Sequence, residues 1–219
     1  MYGAKITKGP KMKSVERKIA VSFAAALMFV VLSYFFIDIP IALYCKKLDR
    51  SVTDIFGIVT ELGISTWYLV GFSALFLIFI FSRQRIYAHR ALFLFSSIAV
   101  SGIVANIIKV IIGRSRPEML FEKGLYGINF FNYTHGLTSF PSGHAATTFS
   151  LALALSFIFP RYRILLFCIA LAVGASRVII TSHYFSDAVG GAYVGMMTVF
   201  FLRRGMTLLE RKGFYKFSM

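Results

Sequence analysis

Apolar residues run through the chain in long blocks separated by short polar segments: Ile19 to Ile37, Ile64 to Phe81, Ala91 to Ile112, His144 to Phe159, Ile164 to Ile180 and Ala188 to Leu202. Each is near the roughly 20 residues that a helix needs to cross a bilayer core. The pattern predicts an all-α polytopic membrane protein, a bundle of six transmembrane helices forming one membrane-embedded domain over residues 1–219. It leaves a basic tail at 1–18, a loop at 113–143 and a second basic tail at 203–219. The first block follows basic residues as a signal peptide would, but it is long and no small-x-small cleavage site follows, so it is expected to stay as a helix. Between the first two blocks, Ile55, Ile58, Val59 and Leu62 fall at helical spacing within Ser51 to Gly63, the pattern of a short helix lying along the membrane.

Composition sharpens this picture. The chain is 58% hydrophobic with a mean hydropathy of +0.73, against roughly 45–50% apolar residues in ordinary soluble domains. Its two cysteines, Cys45 and Cys168, do not make a disulfide framework. Tyr44 is too bulky to precede a lipoprotein cysteine at Cys45.

The net charge of +15 would point to nucleic acid on a soluble protein. Here its segregation decides otherwise. With six spans and the amino terminus inside, sixteen of the 24 basic residues fall on the inner side, with only Glu16 and Glu210 of the nine acidic ones. Both termini are therefore expected in the cytoplasm, with the basic tails against anionic phospholipid headgroups and no role for nucleic acid.

Polar residues able to carry chemistry form three clusters that this topology puts on the outer face: KVIIGRSRP (Lys109 to Pro117), PSGH (Pro141 to His144) and SRVIITSHYFSD (Ser176 to Asp187). Lys109 lies 19 residues beyond Arg90, about 28 Å along a helix, which carries it from one interface to the other. Each cluster alone has a plain structural explanation, as a snorkelling cation or a turn and cap. Three at one depth are harder to dismiss, because ionisable groups at membrane depth are costly and face cavities or bundle interiors. His89 and His135 lack such company and are read as structural.

Lys109, Arg116 and Arg177 offer three positive charges, and guanidinium forks suit the oxygens of an oxyanion. Ser142 adds a hydroxyl, and Gly143 lets backbone N–H groups approach an anion at a helix amino terminus. His183 and Asp187 are four apart, on one face of a helix, where the carboxylate would fix the imidazole tautomer and raise its basicity. That pairing is a nucleophile with its orienting group, and His144 on another helix would supply a proton donor.

The pattern K-x6-RP, PSGH and SR-x5-H-x3-D is complete in this sequence and resembles the type 2 phosphatidic acid phosphatase superfamily, whose bacterial members are integral-membrane lipid phosphatases. The motifs run from Lys109 to Asp187. The resemblance implies that His183 forms a phosphohistidine with Asp187 as its partner and that His144 protonates the leaving oxygen. Lys109, Arg116, Ser142, Gly143 and Arg177 then hold the phosphoryl group. Together with the outward face set by the charge segregation, the resemblance gives a bacterial inner-membrane enzyme whose site is expected to face the periplasm. Candidate substrates are undecaprenyl diphosphate, lipid A phosphates, phosphatidylglycerol phosphate and phosphatidic acid. An anion transporter or a non-hydrolytic lipid-phosphate binder is the rival reading, though transporters carry repeats and broken helices at mid-membrane. No cluster resembles a metal cage and three cations can neutralise phosphate, so activity without a metal or other cofactor is expected.

Two further features bear on architecture. The loop between Pro117 and Pro141 holds Leu120, Phe121, Leu125, Tyr126, Phe130, Phe131 and Tyr133, which suit either a lid dipping into the interface or packing over helix ends. Gly191 and Gly195 form a GxxxG, with Ala188 and Ala192 alongside; packing inside one bundle is favoured over a dimer face, and a monomer with it.

Overall fold

In the computed structural model the described residues are 10–211, with side chains from 14 to 208. About half of each expected basic tail lies outside them, at 1–9 and 212–219; the rest is helical, with 10–18 in the first helix and 203–211 in the last. Among the described residues nine α-helices follow one another: α1 (Pro10–Phe36), α2 (Asp38–Cys45), α3 (Arg50–Glu61), α4 (Ser65–Phe81), α5 (Arg85–Ile112), α6 (Pro117–Lys123), α7 (Gly143–Ile158), α8 (Arg163–Ile179) and α9 (Phe185–Arg211). Short 3-10 turns at His135–Leu137 and Pro160–Tyr162 lead into α7 and α8.

The chain is an all-α membrane protein. Among the described residues, five stretches are long and apolar enough to cross a bilayer: Ser14–Phe36, Arg50–Phe81, Arg85–Ile112, Pro160–Ile179 and Phe185–Leu208. The remaining expected span, His144–Phe159, the fourth in chain order, is α7, whose 16 residues make it shorter than these. Its position explains how so short an apolar helix is accommodated. Residues Ala145 to Ser150 are all buried, as are Ala152, Ala154 and Ser156, so α7 runs through the centre of the bundle instead of meeting lipid.

Small residues make that centre possible. A Cβ on Gly191 would collide with the Ser142 carbonyl oxygen, and one on Gly195 with that of Ala146. The GxxxG of α9 therefore packs against α7 within the bundle, and the absent side chains let the two backbones touch. Ala145, Phe149, Ala152, Ala170 and Ala192 form one apolar cluster around this contact. Phe93 and Leu94 of α5 meet Ala154 and Val199 in a second. By contrast α4 buries no residue, and its Trp67 and Val70 lie exposed at 72% and 63%, the outward apolar surface of a helix in lipid.

The short helix expected within Ser51 to Gly63 is present as α3. Ile55, Ile58 and Leu62 project outward from it while Thr60 is buried toward α8. At the end of α5 the chain turns sharply at Gly113, in the left-handed region with φ +59°, where a side chain would also strike the Asn129 carbonyl. Residues after the turn are tied to the returning loop by backbone bonds: Ser115 N–H to Gly127 O, Arg116 N–H to Gly136 O, and Ser139 N–H to Arg114 O. This stitching brings the first sequence cluster to the second.

Candidate active site

The site grows from the contact between α7 and α9. Ser142 caps α7, its hydroxyl accepting from the Ala145 N–H at 3.5 Å, and its own N–H donates to the Asp187 carbonyl at 2.9 Å. The PSGH turn is thereby fixed against the first turn of α9. A Cβ on Gly143 would meet nothing within 4 Å, so that side of the turn is open.

His183 does not ride on α9, as the four-residue spacing to Asp187 implied. It lies in the turn just before the helix, where the N–H groups of Ser182 and His183 both donate to the Arg177 carbonyl at 3.0 and 3.1 Å. The end of α8 thus holds the segment carrying the histidine. The ring still reaches its expected partner, with Nδ1 3.6 Å from Asp187 Oδ2 and 3.4 Å from Ser139 Oγ. Both residues are buried, His183 at 3% and Asp187 at 0% exposure. Burial is the largest influence on His183 and pushes its pKa down to about 3; Asp187 pulls upward, and Lys109 and Arg116 add to the depression. The imidazole is consequently neutral near pH 7, the state that a nitrogen nucleophile requires.

The cations predicted from the motifs converge around this pair. Lys109 Nζ donates to the carbonyls of Thr138 and Ser139, at 3.0 and 3.5 Å. Arg116 Nε donates to His135 O at 2.9 Å and Nη1 to Ser182 O at 3.3 Å, next to His183. Arg177 Nη1 donates to Thr60 Oγ1 of α3 at 3.0 Å, while its Nε is buried without a partner among the described residues. His144 is half-buried at the start of α7, with its ring against Gly63: a Cβ there would stand 2.5 Å from His144 Cδ2. All eight predicted site residues therefore gather at one end of the bundle. His135 sits apart, exposed, with Nδ1 3.6 Å from Glu118 Oε1.

Several residues escaped the sequence reading. Arg114 is buried at 2% exposure and bridges two carboxylates, Nη1 to Asp187 Oδ1 and Nη2 to Asp38 Oδ2, both at 2.6 Å. Burial would lower its pKa, but Asp187 and Asp38 together raise it above the ordinary guanidinium value. Asp38 also accepts from the Ser186 N–H at 2.9 Å and from its hydroxyl at 2.5 Å. Ser139 donates to Asp187 Oδ2 at 2.5 Å. A signal for Asp38 existed: an acid set between Ile37 and Ile39 beside a membrane span is unusual enough to mark a site. Ser139, Thr60 and Gly63 carried no comparable signal.

The loop aromatics divide in two. Phe130, Phe131 and Tyr133 are exposed at 64%, 76% and 86%. Tyr126 turns inward, its hydroxyl 3.1 Å from Arg114 Nη2 and donating to the Tyr34 carbonyl.

The profile of the PAP2 superfamily matches residues 90–210. A lipid A 1-phosphatase of Rhizobium etli is 36% identical over 103 residues, which span 47% of this chain and 44% of that relative. Another lipid A 1-phosphatase, from Rhizobium johnstonii, is 30% identical over 179 residues, 76% of this chain and 72% of the relative. The crystal structure of a PAP2-type phosphatidylglycerolphosphate phosphatase from Bacillus subtilis superposes with a TM-score of 0.62, covering 89% of this chain and 98% of that one at 21% identity, a likeness of fold. With the profile covering more than half of its length and the second relative aligned over most of both sequences, this chain belongs to the PAP2 superfamily.

Proposed function

We propose that this chain is a lipid phosphatase that works through a phosphohistidine on His183, without a metal, as a single membrane-embedded domain. The observation that carries this reading is the facing of His183 Nδ1 toward Asp187, which leaves Nε2 for the phosphorus among Lys109, Arg116 and Arg177. In the first step a bond forms between Nε2 and phosphorus while the bond from phosphorus to the lipid oxygen breaks. His144 gives a proton to that oxygen. Water then attacks the phosphohistidine, giving its proton to His144; the phosphorus–nitrogen bond breaks and inorganic phosphate leaves. Asp187 holds the Nδ1–H tautomer and offsets the charge the ring gains. The three cations, the Ser142 hydroxyl and the N–H groups near Gly143 take the phosphoryl charge, which is greatest in the transition state.

The substrate class favoured is a lipid A-type phosphate, because both Rhizobium relatives are lipid A 1-phosphatases. Phosphate release from purified lipid phosphates in detergent, with EDTA present, tests this. A lipid A 1-phosphate should be cleaved faster than phosphatidic acid, phosphatidylglycerol phosphate or undecaprenyl diphosphate. No release from any of them would favour an anion transporter or binder.

Counting α7 as the fourth of six spans would bring both termini to one side, read as the cytoplasm of a bacterial inner membrane, with the site at the periplasmic face. The charge segregation supports this orientation. A tag inserted at Ser51 or Gly136 should react with an impermeant reagent in intact cells, and tags at the termini should not. Terminal tags that react from outside would invert the topology and move the site to the cytoplasm.

A further inference from the structure

Two buried carboxylates share one buried guanidinium beside His183. Asp38, Arg114 and Asp187 are 1%, 2% and 0% exposed, and the two ion pairs are each 2.6 Å long. A pair built for stability alone needs one acid, and buried ion pairs are weak stabilisers because desolvation offsets most of their attraction. With the second acid the three groups together carry one net negative charge, next to the ring that must become positive when it attacks phosphorus. Asp38 comes from the start of α2, 76 residues before Arg114 and outside the 90–210 stretch that the family profile matches.

We infer that Asp38 and Arg114 are positioning residues for the proposed nucleophile, fixing the Asp187 carboxylate in the orientation that supports His183. The inference rests on the phosphatase reading. Arg114 Nη1 occupies Asp187 Oδ1. That turns Oδ2 toward His183 Nδ1, the Ser139 hydroxyl and the Tyr184 N–H, the last donating at 2.9 Å. With partners on both oxygens the carboxylate cannot rotate away. A guanidinium paired only with Asp187 would withdraw charge from it and weaken its hold on a protonated imidazole. Asp38 takes up part of that positive charge through Nη2 and leaves more negative charge on Asp187. Aromatic faces lock the arrangement: Arg114 Cζ is 4.5 Å from the Tyr184 ring centroid and 4.8 Å from that of Tyr34. The Ser186 hydroxyl, bonded to both Asp38 and Arg114, closes the network from the first turn of α9.

Asp38→Asn tests this with little change of shape, since the amide oxygen can still accept from Ser186. In the purified full chain kcat should fall about 10- to 100-fold, the scale of loss known for the outer partners that orient metal-bound histidines. KM should change little. The fall should be equal for an aryl phosphate and a lipid phosphate, because the defect lies at the nucleophile and not at the leaving group. Orthovanadate, a phosphate mimic, counts folded sites in the same preparations, and Asp38→Glu should restore part of the rate. Unchanged kcat in Asp38→Asn would overturn the inference, as would a loss matched by fewer vanadate-binding sites at an unchanged rate per site. Should Asp38→Asn fail to fold, Ser186→Ala, which keeps every charge, is expected to lower kcat at constant KM, and a wild-type kcat there would overturn it equally. A wild-type protein that releases no phosphate would sink the phosphatase reading and this inference together; an active wild type beside an equally active Asp38→Asn would sink this inference alone.

Discussion

Replacing His183 with alanine should abolish turnover of every substrate, because no phosphohistidine forms without the imidazole. The ring is buried against Asp187 and held neutral, and none of the neighbouring side chains, Lys109, Arg116 or Ser139, is a comparable nucleophile in that position. His144→Ala should fail differently. With a nitrophenyl phosphate the leaving oxygen is already acidic and needs little protonation, so the loss should be small. With a lipid alkoxide it should be large. Asp187→Asn should fall between the two histidine variants, with the ring present but poorly oriented. The measurement is the ratio of aryl to lipid phosphate rates for each variant, with labelled phosphate trapped on the protein. Equal losses on both substrates for His144→Ala, or active-site labelling of His183→Ala, would overturn these roles.

Loss of either guanidinium at the site should cost on the order of 100-fold or more in kcat, as for other lost transition-state donors. Arg177 is the clearer test. Among the described residues its Nε is buried without a partner and Nη1 alone is tied down, to Thr60. Arg116 already donates to two backbone carbonyls, so Arg116→Ala also loosens the loop behind the site. Arg116→Lys keeps the charge and loses the fork; it should remain impaired, since a point charge cannot reproduce two directed N–H groups. Rates near wild type in both Arg116→Ala and Arg177→Ala would remove the clamp.

The amino-acid order by itself determined the long apolar helices and marked the residues of the candidate site, but not the short helices α2 and α6, the latter within the expected loop at 113–143. Apolar runs such as Ala91 to Ile112 have little alternative in a bilayer, where every backbone group must be paired internally. The motif residues were legible because charged and hydrogen-bonding groups at membrane depth stand out against an apolar background. Even α3 was readable, from four apolar residues at helical spacing. Tertiary structure decided which groups meet. Of two arginines two residues apart, Arg116 lies at the backbone beside His183 and Arg114 turns to Asp187 and Asp38, partners 73 and 76 residues away. Local spacing holds no rule for that choice, because it follows from Gly113 reversing the chain and from the loop bonds that register 115–116 against 127–136. Likewise GxxxG named a close contact without naming its partner. Only the packing of Gly191 and Gly195 against the backbone of α7 made it the contact that brings Ser142 to Asp187. His183 was expected on a helix and stands before one, because the end of α8 captures its backbone N–H, a bond set by how two helices meet and not by the four-residue interval to Asp187.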